Sequence, residues 1–363
     1  MKELLELVIQ KKASDLHIAV GIPPILRIDG KLVPTEYEPL TAEDTKSLIY
    51  SILTLEQRKI LEQKLELDCS YGIEGLGRFR VNVYKDRKGF AAALRTITSK
   101  IPTFDQLNLP KVCQQVCTRP RGLVLVTGPT GSGKSTTLAA MVGWVNENRA
   151  DHILTIEDPI EYIHTSKRSL VNQRELGADT HSFDNALRAA LREDPDVILI
   201  GEMRDLETIS LALKASETGH LVFGTLHTSS AAQTIDRIVD VFPPDQQQQI
   251  RIQLSNGLVA VFSQTLIPKL TPNGQIDGRV MAMEILVNTP AIANLIREGK
   301  TAQIYSAIQT GGRLGMVTLE NSLADLVKKK LIRPEEALAK SSRSEDLEKL
   351  IATELAGAGL GQS

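Results

Sequence analysis

The spacing of hydrophobic and polar positions changes about a third of the way along the chain, which predicts two regions of different architecture. In the first region, Phe79, Val81 and Val83 alternate with polar residues, as in a strand with one buried face. Asp29-Gly30 predicts a hairpin turn, because both positions of such a turn need positive φ. Together these patterns predict a small α+β domain over residues 1–100. Its predicted helices are 1–13 and 41–66, and its predicted strands are 15–20, 25–28, 31–33, 78–84 and 91–97.

After Gly122, short and almost continuous apolar segments alternate with helical patterns, which is typical of a parallel sheet covered on both faces. The three prolines of residues 101–121 predict a linker with a short helix, which leads into a second domain over 122–355. From about Gln246 the pattern predicts mainly helix, apart from a hairpin near Pro272-Asn273-Gly274. The tail, 356–363, is rich in glycine and is expected to be disordered. The predicted parallel strands are 123–127, 153–156, 197–200 and 221–226.

Composition and charge narrow the class of protein. The chain has 363 residues, of which 42% are hydrophobic and 24% charged, as in globular proteins. Its 42 basic and 44 acidic residues give a net charge of −2, which disfavours tight, sequence-independent binding of nucleic acid. Three cysteines allow neither a disulfide framework nor a paired zinc site. No signal-peptide pattern and no run of about 20 apolar residues is found, so we expect a soluble protein of the cytoplasm.

The sequence GPTGSGKS at residues 128–135 matches the phosphate-loop pattern G-x-x-x-x-G-K-[ST]. It lies between a predicted strand and a predicted helix over 135–146, which is the context in which such a loop binds a nucleotide. Lys134 would reach the β- and γ-phosphates, and the Ser135 hydroxyl would bind Mg²⁺. A glycine turn without a ligand needs no lysine followed by a hydroxyl, so we expect ATP and Mg²⁺ to bind here. The predicted nucleotide-binding residues of this segment are Gly128, Thr130, Gly131, Ser132, Gly133, Lys134, Ser135 and Thr136.

Carboxylates follow two of the predicted parallel strands, and a parallel sheet brings them to the edge where the phosphate loop lies. Gly201 stands where many nucleotide-binding proteins have a metal-binding aspartate, so Glu202 is expected to serve the Mg²⁺ shell, through water. Glu161 is then the better candidate for the general base. Glu157 and Asp158 are candidate nucleotide-binding residues, although either could simply cap the turn after its strand.

Two histidines bracket the predicted strand 221–226. His220 and His227 could sense the γ-phosphate or link it to a neighbouring subunit, and the alternative is that each is structural. We expect His227 to take a catalytic role and His220 to contact the nucleotide. The remaining histidines are given structural roles; they are His17, His152, His164 and His181.

Arginines from a second domain or subunit often complete an ATPase site, because the transition state spreads charge over the phosphoryl oxygens. Arg78 and Arg80 lie on one face of a predicted strand, and Arg95 lies on the next strand. These three are candidate catalytic residues, with a solvated basic face as the alternative. Arg192 and Arg204 are weaker candidates.

With these motifs in order, the chain resembles the secretion ATPase superfamily, and within it the retraction ATPases of type IV pili. Residues 13–17 (ASDLH) are similar to the N-terminal motif of the family, and 128–135 is its Walker A motif. Residues 155–162 (TIEDPIEY) resemble its Asp box and 219–228 (GHLVFGTLHT) its His box. Residues 194–205 (DPDVILIGEMRD) are similar to its atypical Walker B motif, Gly201 included.

The resemblance implies a PAS-like N-terminal domain joined to a RecA-like P-loop NTPase core with a helical C-terminal part. It further implies a hexameric ring in which nucleotide sits between the domains, with arginines that match Arg78, Arg80 and Arg95 near the phosphates. Such a ring would act at the cytoplasmic face of the inner membrane. There it would drive the pilus platform protein, and through it withdraw pilin, with no role for nucleic acid.

The assignment to a subfamily depends on fewer residues than the assignment to the superfamily. Extension and type II secretion ATPases usually carry a longer N-terminal region and a tetracysteine motif, and neither is found in this sequence. Residues 291–298 (AIANLIRE) resemble a motif of the retraction ATPases, with Ala293 in place of an arginine. An accessory retraction ATPase is the nearest alternative. A hexameric nucleic-acid motor and a nucleotide-dependent adaptor that hydrolyses little ATP are more distant ones.

Overall fold

The computed structural model describes residues 1–28, 30–73, 75–97 and 100–359, the last six of these by their backbone alone. The chain divides into two compact units. The first unit contains Met1–Ile101, Pro159–Ile163 and Glu175–His181, and the second contains Pro102–Asp158, His164–Arg174 and Ser182–Ser363.

The first unit is built on a six-stranded sheet in the order β3-β2-β1-β6-β5-β4. Neighbouring strands pair antiparallel, and the predicted hairpin is present, with Ile28 opposite Lys31; Asp29 itself lies outside the described residues. The predicted helix 41–66 is two helices, because Thr41 and Thr54 each cap a separate helix start. Its elements are α1 Lys2–Gln10, β1 Asp15–Ile18, β2 Ile25–Ile28, β3 Lys31–Pro34, α2 Ala42–Tyr50, α3 Leu55–Lys64, β4 Glu66–Ile73, β5 Gly77–Lys85 and β6 Phe90–Ile97.

The two faces of the β5 strand differ sharply. Phe79, Val81 and Val83 are fully buried in the core of the first unit, together with α1 and α2 side chains. Arg80, between two of them, is exposed. The prediction of a strand with one apolar face is therefore confirmed.

The second unit is built on a seven-stranded sheet in the order β13-β12-β7-β11-β10-β8-β9. Strands β12, β7, β11, β10 and β8 pair parallel, and β13 pairs antiparallel with β12. Its elements are α4 Lys111–Cys117, β7 Gly122–Thr127, α5 Lys134–Asn148, β8 His152–Glu157, β9 Leu170–Glu175, α6 Phe183–Ala190, β10 Val197–Ile200, α7 Leu206–Glu217, β11 Leu221–Leu226, α8 Ala231–Asp240, α9 Pro244–Gly257, β12 Leu258–Leu270, β13 Ile276–Val287, α10 Pro290–Arg297, α11 Ile304–Thr310, α12 Leu319–Lys328, α13 Pro334–Leu338 and α14 Ser344–Gly359.

Both faces of this sheet are buried. In β7, Leu123 and Leu125 pack in one hydrophobic cluster, whereas Val124 and Val126 pack in another on the opposite face. The four predicted parallel strands are present, and their continuous apolar pattern follows from this double burial. The predicted α/β core with a smaller α+β domain is confirmed.

The C-terminal part contains more strand than expected. The prediction that the chain is mainly helical after Gln246 is wrong for β12 and β13, which extend the sheet, although the hairpin near 272–274 is present. A buried apolar run such as that opening β12 has no clear period, so a strand and a buried helix cannot be distinguished there by pattern.

The predicted linker, 101–121, and the predicted disordered tail, 356–363, lie in or next to the second unit. In 101–121, helix α4 buries Val112, Cys113 and Val116 against the sheet. At the C-terminus, α14 includes the first four residues of the segment 356–363, and residues 360–363 lie outside the described residues. Among the described residues, no helix has the length and apolar character required to cross a membrane.

Candidate functional site

The phosphate loop connects β7 to α5 and has the backbone conformation that its glycines permit. Gly131 and Gly133 have φ of +78° and +87°, a left-handed region that other residues rarely adopt. Gly128 has no room for a side chain, since a Cβ there would lie 2.2 Å from the carbonyl oxygen of Gln264. Lys134 donates from Nζ to the Gly128 carbonyl at 2.8 Å. The loop is therefore a tight turn whose lysine lies over its own backbone.

The hydrogen-bonding groups of the loop fit an anionic ligand. Ser132 is buried, and its hydroxyl has no hydrogen-bond partner within the part of the chain that the structure describes. A left-handed glycine beside right-handed neighbours turns successive N–H groups toward one concave side, which is the arrangement that binds phosphate. The α5 N-terminus begins at Lys134 and adds its partial positive charge.

The carboxyl ends of four parallel strands meet at the edge that bears this loop. Leu226 is in register with Thr127, and Ile200 is in register with Ile156. The residues that follow these strands therefore share one edge, as the sequence predicts. They include Glu157, Asp158, Glu202 and His227.

Glu202 forms the centre of a charged cluster at this edge. Its carboxylate pairs with the Arg204 guanidinium through two contacts, at 2.6 and 2.7 Å, and His227 Nε2 lies 3.1 Å from Oε1. Burial alone would raise the pKa of Glu202, but the bonds from Arg204 and His227 outweigh burial and lower it. Glu202 is consequently ionised at neutral pH. Glu202 and His227, both predicted as site residues, lie in contact with each other.

Gly201 has a steric reason for being a glycine. A Cβ at this position would lie 3.1 Å from Glu157 Cα and 3.2 Å from the Ile156 carbonyl oxygen, both in the backbone of β8. The hydroxyl of Thr225 donates to the Gly201 carbonyl, which fixes this turn against β11. The aspartate of the more common motif does not fit here without displacement of the neighbouring strand.

The two carboxylates at the carboxyl end of β8 differ in environment. Glu157 accepts hydrogen bonds from Thr155 at 2.7 Å and from Gln173 at 3.2 Å, so its side chain is held toward the strand surface. Asp158 is exposed, and its charge raises the pKa of the Arg204 guanidinium as a minor contribution after Glu202. Asp158 therefore belongs to the electrostatic surroundings of the Glu202 cluster.

The oxygen donors at this edge fit Mg²⁺. The ion prefers hard oxygen ligands and commonly takes only one or two from the protein, the rest coming from phosphate and water. The hydroxyl of Ser135 and the carboxylate of Glu202 are such donors. Among the described residues, no group of three or more His, Cys, Asp or Glu side chains could hold a metal by itself.

The structure separates the two histidines that bracket β11. His227 follows the carboxyl end of the strand, beside Glu202, whereas His220 precedes its amino end, where its carbonyl accepts a bond from Gly122 N. Six strand residues span about 20 Å, so His220 lies near the opposite edge of the sheet from the phosphate loop of its own chain. Its Nδ1 lies 3.0 Å from the Ala215 carbonyl. Within one chain His220 therefore lies away from the phosphate loop, and its contact with nucleotide, which could come from a neighbouring subunit, stays a prediction.

Structural roles fit two of the other histidines. His152 has both ring nitrogens within hydrogen-bond distance of protein oxygens, of Asp194 and Asn172. His164 is buried, and burial lowers its pKa to about 4. Both side chains therefore belong to the fold of the second unit.

In the first unit, the predicted arginines lie on one face of the sheet. Arg80 and Arg95 are opposite each other on β5 and β6, and Arg95 is opposite Asp15 on β1. Arg95 Nε contacts the buried Asp15 carboxylate at 2.8 Å, while Arg80 is exposed. Arg78, two residues before Arg80, donates to the Ser70 hydroxyl at 2.6 Å.

Sequence reasoning missed Glu175, at the end of β9. Glu175 is 3% exposed, lies 3.5 Å from the Arg78 guanidinium and accepts a bond from the Ile160 N–H at 3.1 Å. It thereby connects Arg78 to the segment Pro159–Ile163, which carries the exposed Glu161 and clusters with the first unit. No motif marks Glu175, because its partners are distant in sequence.

Comparison with known proteins agrees with this geometry. The chain is 56% identical over 344 residues to the type IV pilus retractation ATPase PilT of Pseudomonas aeruginosa, covering 95% of this chain and 98% of that protein. It is 40% identical to the type IV pilus ATPase PilU of the same organism, covering 96% and 91%.

A solved structure is similar over nearly the whole chain. The crystal structure of the pilus retraction motor PilT with bound ADP superimposes with a TM-score of 0.89 at 50% identity, covering 96% of this chain and 98% of that one. The family described as type II/IV secretion system protein matches residues 1–353. The chain, with its phosphate loop and the Glu202 cluster at one sheet edge, belongs to the type II/IV secretion system protein family.

Proposed function

We propose that this protein is an ATP hydrolase that powers the retraction of type IV pili, and with it twitching motility. The observation that supports this most strongly is the shared edge of the second sheet, where a phosphate loop stands beside an ionised glutamate held by Arg204 and His227. The relative named as a pilus retractation ATPase is 56% identical over 95% of the chain, which supports the biological role.

In the proposed reaction, water attacks the γ-phosphorus of ATP and the bond to the β–γ bridging oxygen breaks, giving ADP and phosphate. The main-chain N–H groups of Gly131 and Gly133 bind phosphate oxygens, and the Ser132 N–H joins them by leaving the Pro129 carbonyl. Lys134 likewise leaves its loop carbonyls to bind the β- and γ-phosphates. Bound Mg²⁺ supplies charge neutralisation on the phosphates, with Ser135 as its direct ligand and Glu202 as a partner through water.

The remaining predicted residues take roles around the transferred group. We assign Glu161 as the base that accepts a proton from the attacking water, and His227 as the group that holds Glu202 in place near the γ-phosphate. Arg78, Arg80 and Arg95 supply positive charge to the phosphoryl oxygens in the transition state. Glu157 and Asp158 orient water and nucleotide at the end of β8.

For the assembly, we propose a homohexamer bound at the cytoplasmic face of the inner membrane. There it acts on the platform protein of the pilus machine, a PilC-like protein, and through it on pilin. Hydrolysis would release a closed state that the γ-phosphate stabilises, and this change is the mechanical step.

The first test is steady-state phosphate release by the purified protein. Lys134→Ala should abolish turnover to below about 1% of the parent rate, because no other side chain neutralises the transferred phosphoryl group from the loop. Lys167→Ala is a matched control, since that lysine pairs only with the exposed Glu147 in the described structure, and its rate should be unchanged. Parent-like turnover in Lys134→Ala would overturn the assignment.

The second test distinguishes the direction of movement and the accessory role. Disruption of the gene should leave cells with surplus surface pili that no longer twitch. Bald cells would indicate an extension ATPase instead. Surplus pili with twitching retained would favour an accessory role, which the 40% identity to PilU keeps as the second candidate.

A further inference from the structure

Gln264, on β12, lies outside every motif of the sequence and is nevertheless bonded to the phosphate loop. Its side chain is 3% exposed. Nε2 donates to the Ser132 carbonyl at 2.7 Å, and Oε1 accepts from the Thr137 hydroxyl at 3.0 Å. One buried amide therefore joins the loop to the second turn of α5.

The orientation of this amide follows from its partners. The Ser132 carbonyl can only accept, so the NH₂ end of Gln264 must face it, and the oxygen end then faces the Thr137 hydroxyl. The main chain of Gln264 also contacts the loop, because its carbonyl oxygen fills the space where Gly128 would carry a Cβ. Strand β12 thus contacts the phosphate loop at its start, Gly128, and near its end, at Ser132.

This bond fixes the direction of one peptide plane. In a trans peptide the C=O and the following N–H point to opposite sides. With the Ser132 carbonyl held by Gln264, the Gly133 N–H points away from β12. Gly133 has φ of +87°, and as a glycine it permits rotation about φ at a lower steric cost than any other residue, so the bond from Gln264 adds a restraint that the backbone of Gly133 does not supply.

We propose that Gln264 is a positioning residue for phosphate binding: by holding the Ser132 carbonyl it presets the Gly133 N–H toward the nucleotide phosphates. The inference rests on the proposed function. Without the amide the plane can rotate, and the ligand must order it on binding, which lowers affinity. The effect belongs to nucleotide affinity and KM, because Gln264 bonds to none of the groups proposed for the cleavage step.

A matched pair of variants separates this role from ordinary stability. Gln264→Met removes both bonds with little change in volume. Asn146→Leu removes an equally buried amide on the other end of α5, which donates to Thr165 O at 2.7 Å and accepts from Lys167 N at 2.9 Å. Both should lower the midpoint of thermal unfolding by similar amounts, but only the first should weaken nucleotide binding.

The measurement is the Kd of Mg-ADP by calorimetry on the full chain, with KM and kcat for ATP alongside. For Gln264→Met we expect a Kd and a KM about tenfold higher, as for loss of one oriented donor to a charged ligand, with kcat within about threefold of the parent. Asn146→Leu should stay within about twofold in Kd. Thr137→Val, which spares the bond to Ser132, should fall between them.

If Gln264→Met does not fold, Gln264→Asn decides the question, because its amide is one methylene too short to reach Ser132 and its affinity should fall similarly. A Kd within threefold of the parent in the folded Gln264 variant, or an equal loss in Asn146→Leu, overturns the proposal. If the parent chain itself neither binds ADP nor hydrolyses ATP, the proposed function fails instead.

Discussion

The two sheets of this protein carry their candidate functional groups in different places. In the antiparallel sheet of the first unit, Arg80 and Arg95 stand on an open face, while Phe79 and Val81 beneath them are fully buried. In the parallel sheet of the second unit both faces are sealed by apolar clusters. Its charged candidate Glu202 accordingly lies after the end of a strand, and the polar residues within the strands, such as Gln264, are buried.

This difference between the two sheets follows from the spacing of apolar residues along their strands. A sheet with one apolar face has a second face on which every alternate residue can be polar without loss of core. The central strands of a sheet covered on both sides have no such face, so the charged candidate Glu202 is found after its strand and not within it. We therefore expect different properties to change when residues are substituted at the edge of the second sheet, on its sealed faces and on the open face of the first sheet.

The largest effect is expected at the edge, from Gly201→Asp, which restores the aspartate of the more common metal-binding motif. Its Cβ would meet backbone of β8 at 3.1 and 3.2 Å, and its carboxylate would stand beside the ionised Glu202. We expect steady-state ATP hydrolysis to fall about 100-fold, of the order seen when one electrostatic group of an active site is displaced. Gly201→Ala separates the steric part from the charge. Parent-like ATP hydrolysis in Gly201→Asp would show that this edge tolerates both the added side chain and its negative charge.

On the sealed faces of the second sheet, Glu284 of β13 is a buried acidic residue among apolar neighbours. It is 5% exposed, and its Oε1 accepts from the Ala231 N–H at 2.7 Å. Burial, and then the nearby carboxylate of Glu320, raise its pKa from 4.5 to about 7, against the opposing effects of that N–H and of Arg343. The folded state thus holds a proton on Glu284 that the unfolded chain releases near pH 4.5.

Because this pKa is raised in the folded state, its stabilising contribution is complete below pH 4.5 and is lost as pH rises to about 7. The loss is on the order of 3 kcal/mol. Glu284→Gln keeps an oxygen acceptor and removes the charge, so its free energy of unfolding at pH 8 should exceed that of the parent. Urea unfolding at pH 5.5 and 8 measures the difference, and the exposed Glu348→Gln is the control. An equal pH dependence in parent and Glu284→Gln would contradict the prediction.

Local patterns predict the parts of the fold and site that adjacent residues determine. The phosphate loop, the parallel strands and the position of Glu202 and His227 at one sheet edge are predicted in this way, although the contact between Glu202 and His227 is not. The bonds of Gln264 are not predicted either, since its partner Ser132 is 132 residues away in sequence. Glu175 was missed for the same reason, whereas the position of His220 follows from the predicted parallel sheet, because His220 precedes β11 and the phosphate loop follows β7.

On the open face, Arg80→Ala should reduce the rate of ATP hydrolysis without changing stability. Arg80 is exposed, and it has no ion pair in the described part of the chain, so the fold does not depend on its charge. We expect kcat to fall about tenfold, for loss of one of three positive groups acting on the transition state. Arg87→Ala, on an exposed turn, is the control in the same kinetic assay. If both variants hydrolyse ATP equally well, the open basic face is only a solvated surface.

A small effect on stability, besides any effect on catalysis, is expected for Arg95→Ala, because Arg95 also forms an ion pair within the fold. Burial tends to raise the pKa of Asp15, but bonds from Ser14 and Arg95 outweigh it, so the pKa is lowered and Asp15 stabilises the fold above pH 3.8. Since the Arg95 side chain is 69% exposed, solvent screening limits its share to about 1 kcal/mol. The free energy of unfolding of Arg95→Ala should lie below that of the parent by this amount at pH 7, and the gap should close as pH falls toward 3. Arg95→Lys should recover part of the stability, whereas a gap that persists at pH 3 would mean that packing of the arginine stem, rather than its charge, stabilises this face.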